Sequence, residues 1–168
     1  MSTDSGDEYV NVYIAGVFDA EQAFRCQIEK NTSARTGYRI LPKVEISNRS
    51  REMANVVSNW LRGIGIHARV EQSGSKRPRY KVSVTRRDDV KDVLSAIIPY
   101  LIVHDGEAKL LLEEIIPRLE VGSPMTKERF VEAVGYINEL EAGPSPNRKY
   151  TLEFFQEEWG IEDEEATD

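Results

Sequence analysis

The chain has 168 residues, 40% of them apolar and 30% charged, which suits one globular domain with a real core and a few appended helices. No apolar run approaches the roughly 18 residues needed to span a bilayer. Met1 to Glu8 is polar and acidic, unlike a signal peptide, and the single cysteine, Cys26, excludes a disulfide framework, so a reducing cytoplasmic setting is expected. Two distant histidines, His67 and His104, cannot build a structural zinc site with that one cysteine. The net charge of −7 is unevenly spread: residues 1–24 carry −5, residues 25–100 carry 16 basic against 7 acidic groups, and residues 101–168 carry −11. A basic middle between acidic ends points to a localised polyanion-binding face.

Residues 1–8 read as a flexible acidic N-terminus. Tyr9 to Phe24 is apolar on nearly every side until Asp19 and Glu21, which predicts a buried helix with small residues, Ala15 and Gly16, at its middle. Phe24 to Glu29 alternates strictly and predicts a half-buried strand. After turn residues 31–37, the period of two resumes from Ile40 to Ser47, with Pro42 hinting at an edge or an early strand position. Ser50 is a candidate N-cap for a helix through Met53, Val57, Trp60 and Leu61, which Gly63 and Gly65 end. Ile66, Ala68 and Val70 alternate with His67, Arg69 and Glu71; after Ser73-Gly74-Ser75, Tyr80, Val82 and Val84 do the same, predicting a hairpin.

Helices follow over Val90 to Ile98, interrupted near Pro99, over Ala108 to Leu119, and over Thr126 to Glu141. Residues 9–120 are thus expected to form the core, 121–142 a C-terminal helix, and 143–168 a Pro/Ser linker, a short helix with Phe154, Phe155 and Trp159, and an acidic tail. The order helix–strand–strand–helix–strand–strand–helix predicts an α+β domain, with helices backing an antiparallel four-stranded sheet.

The outward strand positions carry Arg25, Gln27, Glu29, Arg39, Lys43, Glu45, Ser47, His67, Arg69, Glu71, Arg79, Lys81, Ser83 and Thr85. Forked donors and acceptors of this kind suit phosphate oxygens and base edges in a major groove. The face offers little aromatic surface, so duplex reading is favoured over single-strand stacking.

The stretch Ile14-Ala15-Gly16-Val17-Phe18-Asp19-Ala20-Glu21 resembles the motif helix of the LAGLIDADG homing endonucleases, and the order of elements through about residue 120 resembles that family too. The resemblance implies an αββαββα fold. One copy of the motif implies a homodimer whose motif helices touch at Ala15 and Gly16, with Asp19 capping or hydrogen-bonding within the helix pair. It also implies that two Glu21 carboxylates meet above a double-stranded DNA. Two such charges about 5 Å apart repel by roughly 3 kcal/mol at an effective dielectric near 20, so they need a proton or a divalent cation. Mg²⁺, with Mn²⁺ as an alternative, would be held by Glu21 and the Ala20 carbonyl for phosphodiester hydrolysis.

The chain departs from the family pattern at three places. Gln22 stands where the motif ends in glycine, and Glu21 stands in place of the commoner aspartate. His104 ends the segment Pro99 to His104, where the family usually has a lysine near the scissile phosphate. Asn48 falls where the family places a polar residue that orders the active-site water, or is a plain turn asparagine. Two functions follow as expectations: a metal-dependent, site-specific DNA endonuclease, or a protein of the same fold that binds without cutting, either a DNA-binding regulator or an RNA-splicing maturase.

Overall fold

The computed structural model describes residues 5–120, 125–140 and 149–162. The elements run α1 (Ser5–Glu21), β1 (Phe24–Lys30), β2 (Tyr38–Asn48), α2 (Arg51–Gly63), β3 (Val70–Ser73), β4 (Arg79–Val84) and α3 (Arg87–Ile97), which is the expected αββαββα order. A short 3₁₀ turn, Ile98–Tyr100, leads to α4 (Asp105–Lys109), a π-helical stretch (Leu110–Ile115) and α5 (Ile116–Glu120). Then come α6 (Lys127–Leu140) and α7 (Leu152–Trp159). No helix among the described residues is long and apolar enough to cross a membrane.

The four strands form one antiparallel sheet in the order β1-β2-β4-β3. Alternation in β2 buries Tyr38, Ile40, Pro42, Val44 and Ile46 and leaves Arg39, Lys43, Glu45 and Ser47 on the other face. Pro42 pairs with Cys26 of β1 on the stretch of β2 that β4 does not reach, since β4 pairs only with Val44 to Asn48. Its missing N–H is tolerated there. The buried sheet face packs on α1, α2 and α3 through one core cluster that includes Phe18, Ile46, Val57, Leu61, Val84, Val93 and Leu94. Phe18 anchors α1 to both neighbours, with edge-on contacts to Phe24 and Trp60 at 6.1 and 6.0 Å between ring centroids. Ser50 caps α2 as expected, its Oγ accepting the Met53 N–H at 3.1 Å.

Four expectations need correction. First, the N-terminus is helical from Ser5 rather than flexible through residue 8. Asp7 and Glu8 lie in that first turn, where acids complement the positive end of the helix dipole. Second, α1 is not buried all round: Tyr9, Val10, Val12, Tyr13 and Gly16 are exposed.

Third, the strand expected from Ile66 begins only at Val70. Gly65, at φ +86°, turns the chain back on α2. The Ile66 N–H then bonds to Leu61 O at 2.9 Å, and Ser58 Oγ donates to Ala68 O at 2.7 Å. Those backbone groups are spent on the helix and are not free for a ladder. Fourth, the helix expected over Ala108 to Leu119 is continuous but loosens into the π stretch just before Pro117, which has no N–H to give to the preceding turn.

The short C-terminal helix closes the far end of the core. Phe155 is fully buried, 5.0 Å from both the Tyr38 and Phe130 rings, and Trp159 packs against the same group, tilted on Phe155 and edge-on to Tyr38 and Phe130. The linker expected at Gly143 to Asn147, and the acidic tail beyond Glu162, lie outside the described residues.

Candidate nucleic-acid interface and metal site

The outer face of the sheet carries its polar side chains in cross-strand rows. Arg25 stands opposite Lys43, Gln27 opposite Leu41, Glu29 opposite Arg39, Glu45 opposite Ser83, and Ser47 opposite Lys81. On β3, Glu71 faces Lys81 and Ser73 faces Arg79. Acids interleave the cations and hold them in place. Arg39 pairs with Glu29, Lys43 with Glu45 at 3.2 Å, and Lys81 with Glu71 at 3.5 Å. Arg79 is fixed instead by Ser47, through its hydroxyl at 3.1 Å and its carbonyl.

Burial alone would raise the Glu45 pKa. The Ser83 hydroxyl at 2.8 Å and the Lys43 ammonium outweigh it, and the carboxyl is held below its ordinary value. Arg25 and Gln27 are exposed on the same face. The one apolar interruption is Leu41, which alternation alone assigns to this face.

The expectations differ from the structure at His67 and Arg69. Both lie in the segment between α2 and β3, not on a strand, and with Asn55, Ser58, Asn59 and Arg62 they line a groove beside α2. Thr85 lies just past the end of β4. Reading by alternation also passed over Lys76 and Arg77, in the turn from β3 to β4. Because Tyr80 pairs with Asn48 and Ser73 with Arg79, that turn lies toward the Asn48 end of the sheet. The signal was present as Lys-Arg-Pro-Arg, residues 76–79, between two strands.

Glu21 and Asn48 meet. α1 ends at Glu21 and β2 at Asn48, and Asn48 Nδ2 donates to Glu21 Oε1 at 2.5 Å. Asn48 Oδ1 in turn accepts the Ser50 N–H at 2.8 Å, which fixes the amide's orientation. The chain leaves α1 through Gln22, the only non-glycine residue with positive φ (+49°) among the described residues. This is the left-handed conformation that usually ends a helix on glycine.

Glu21 is half-buried, and the last carbonyls of α1, Ala20's among them, lie at the negative end of the helix dipole. A carboxylate and a carbonyl are hard oxygen donors, the kind Mg²⁺ takes. Among the described residues of one protomer, no three His, Cys, Asp or Glu side chains cluster as a metal site.

Asp19 is engaged within its own chain. Its Oδ2 accepts the N–H groups of Ile102 (2.8 Å) and Val103 (3.1 Å), and its Oδ1 that of His104 (2.9 Å). Burial works to raise the Asp19 pKa. The three backbone donors, with the nearby His104, overcome it and hold the carboxyl below the ordinary aspartate value. His104 precedes α4, half-buried, with Nδ1 3.2 Å from Glu107 Oε1.

Ala15 also departs from expectation. It is fully buried inside its own protomer, whereas Gly16 is exposed with open space where a Cβ would stand. Successive helical residues point about 100° apart, so the two cannot serve one contact. The open face of α1 carries Tyr9, Val12, Tyr13, Gly16 and Ala20 at spacings of three and four. Beside its C-terminal end, the segment that Asp19 holds presents Ile102 and Val103, 86% and 65% exposed.

A LAGLIDADG-like domain model matches residues 8–97. Comparison with curated proteins finds no match. Among solved structures, the chain is similar to the homing endonuclease I-CvuI in complex with its target (TM-score 0.75, 16% identity, 92% of this chain and 94% of that one). It is similar to the archaeal intron-encoded homing endonuclease I-Vdi141I complexed with DNA (TM-score 0.75, 21% identity, 93% and 99%). It also resembles the I-LtrWI LAGLIDADG homing endonuclease bound to target DNA (TM-score 0.70, 19% identity), covering 83% of this chain but 47% of that one. With the motif helix, the sheet topology and more than half of the chain matched, this protein belongs to the LAGLIDADG family.

Proposed function

We propose that the protein is a site-specific double-strand DNA endonuclease, working as a homodimer on a near-palindromic site and using a divalent cation, Mg²⁺ or Mn²⁺. The observation that carries this reading is the continuity of α1. One face of the helix is apolar, exposed and centred on Gly16, and the same helix ends in Glu21 beside the cationic sheet face. Pairing that face with its copy about a two-fold axis would bury Tyr9, Val12 and Tyr13. It would also bring the Glu21 carboxylate of one protomer up to that of its copy. The coverage of about half of the I-LtrWI chain supports a paired arrangement of two such units.

Within this reading Glu21 and the Ala20 carbonyl hold the cation, which supplies Lewis-acid stabilisation and a water of lowered pKa. Asn48 holds the Glu21 carboxylate in one rotamer, and its position at the end of β2 lets it orient a water at the phosphate. His104 is carried to the same end of α1 by the Asp19 clasp. The sheet reads the duplex, with Arg25, Gln27, Arg39, Lys43, Glu45, Arg79, Lys81 and Ser83 offered to base edges and phosphates.

A second reading is favoured by one observation: His104, in place of the family's usual lysine, rests against Glu107. It is a protein that binds DNA, or RNA as a splicing maturase, without cutting. Purified protein incubated with a random duplex library and Mg²⁺ or Mn²⁺ separates them. Recurrent near-palindromic cut sites support the endonuclease. A salt-dependent gel shift without cutting supports the binding protein. Neither binding nor cutting overturns both.

A further inference from the structure

Seven ion pairs engage six cations, Arg39, Lys43, Lys81, Lys91, Lys109 and Arg118, with carboxylates among the described residues. Against that habit, and in a chain of net charge −7, the groove beside α2 has no acid in its lining. It is an open cleft of about 740 Å³ between the α2 face that carries Asn55, Asn59 and Arg62 and the segment His67 to Val70. Arg62, His67 and Arg69 all line it, all are exposed, and among the described residues no side-chain hydrogen bond or ion pair engages any of the three. Ser58 fixes the wall behind them through Ala68 O. The segment is tied to α2 by the Ile66 N–H bond to Leu61 O and the Ser58 hydroxyl bond to Ala68 O, so these side chains are presented by an anchored segment and not by a loose loop.

We propose that this groove binds the phosphodiester backbone of nucleic acid, as a sequence-independent clamp outside the sheet face. This rests on the reading of the sheet as a duplex-binding surface. Three observations carry it. Two guanidinium forks and an imidazole, flanked by two carboxamides, make a donor set for phosphate oxygens. The cleft is open to solvent rather than enclosed, which suits a segment of backbone lying in it. It is also continuous with the sheet: Arg69 immediately precedes Val70, the first residue of the edge strand β3, and two residues on, Glu71 pairs with Lys81 on the outer face.

The test uses the full chain, ¹⁵N-labelled, titrated with a long random-sequence duplex and separately with inorganic pyrophosphate. The Arg62 and Arg69 Nε–H and His67 ring signals are followed. In parallel, the slope of log K against log salt is measured for the duplex with wild type and with the triple variant R62Q/H67Q/R69Q. The expected result is saturable movement of all three side-chain signals with the duplex, and a slope reduced by about 2–3 per protomer in the triple variant, near 0.9 per phosphate contact.

Binding of the duplex with those signals unmoved and the slope unchanged overturns the groove while leaving the sheet reading intact. Movement with pyrophosphate alone, in a protein that gel shift shows does not bind duplex, overturns both and assigns the groove to a free phosphate ligand. Circular dichroism of the triple variant guards against misfolding. If it is unfolded, the signal movements in wild type decide the matter.

Discussion

Asn48 and Glu21 are joined by a 2.5 Å hydrogen bond, although they stand 27 residues apart and on different elements. The bond sets the end of β2 against the end of α1, so the sheet face and the motif helix share one corner. The carboxylate is thereby held and left half-buried. Glu21→Gln keeps the shape and the bond to Asn48 but removes the charge that a cation needs. Cleavage should fall below detection, with duplex affinity within a few fold of wild type. Near-normal cutting by purified Glu21→Gln protein would remove Glu21 from the site.

Gly16 is exposed, with nothing within 4 Å of where a Cβ would stand, so a side chain added there can extend toward solvent. Gly16→Leu should leave the circular dichroism spectrum and cooperative unfolding intact and convert a dimer to a monomer in sedimentation. Wild-type protein that sediments as a monomer, with or without duplex, would contradict the two-fold arrangement.

How much of this could be read from the residues depends on which forces act locally. The Ser50 cap, the Phe24 to Glu29 alternation and the αββαββα order were legible because turn chemistry and periodicity are local. The assignment of Ala15 was not. In a helix apolar on most sides, sequence does not say which side meets the protein's own core, and here Ala15 lies against it while Gly16 does not. His67 and Arg69 alternate as a strand would, but Leu61 and Ser58 of α2 take the hydrogen bonds that a ladder requires. Asp19 is legible as a hydrogen-bonding group from the motif, but its donors Ile102, Val103 and His104 are not, because they lie more than 80 residues along the chain.

The Asp19 clasp should make stability depend on pH. Its folded-state pKa lies below the ordinary aspartate value, so in acid the unfolded state binds more protons. The clasp's contribution is complete above the ordinary aspartate range and is lost as pH falls through the lowered folded value. Asp19→Asn should cost about 1–2 kcal/mol at pH 7, as expected for weakened bonds to a charged acceptor. The difference from wild type should shrink toward pH 3. Urea unfolding of both proteins at several pH values measures it, and a difference constant with pH would show that the charge on Asp19 is not what holds residues 102–104.

Gln22 adopts φ +49° directly after α1. A side chain in the left-handed region costs about 1–2 kcal/mol, against roughly 0.5–1 kcal/mol for the greater backbone freedom that glycine loses on folding. Gln22→Gly should therefore stabilise the protein by up to about 1 kcal/mol in urea unfolding, with no change in helix content. Destabilisation would mean that the Gln22 side chain makes a contact that outweighs the backbone strain.

Arg25 is the cleanest probe of the sheet face. It is exposed opposite Lys43, and no carboxylate among the described residues engages it, so its replacement breaks no ion pair. Lys81, by contrast, is held 3.5 Å from Glu71. Its removal would also release that acid toward the duplex. If both touch phosphates, Arg25→Ala and Lys81→Ala should each lower the slope of log K against log salt by about one per protomer contact. If Arg25 instead reads a base edge, the slope should hold. Affinity should then fall by about 1–3 kcal/mol at one position of each half-site, measured by competition with single-base variants of the selected target. Glu71→Gln tests the electrostatic role of the acids between the cations: removing its charge should tighten binding to any duplex, with little effect on sequence preference. Unchanged affinity, slope and preference in all three variants would show that the outer face of the sheet does not carry the nucleic acid.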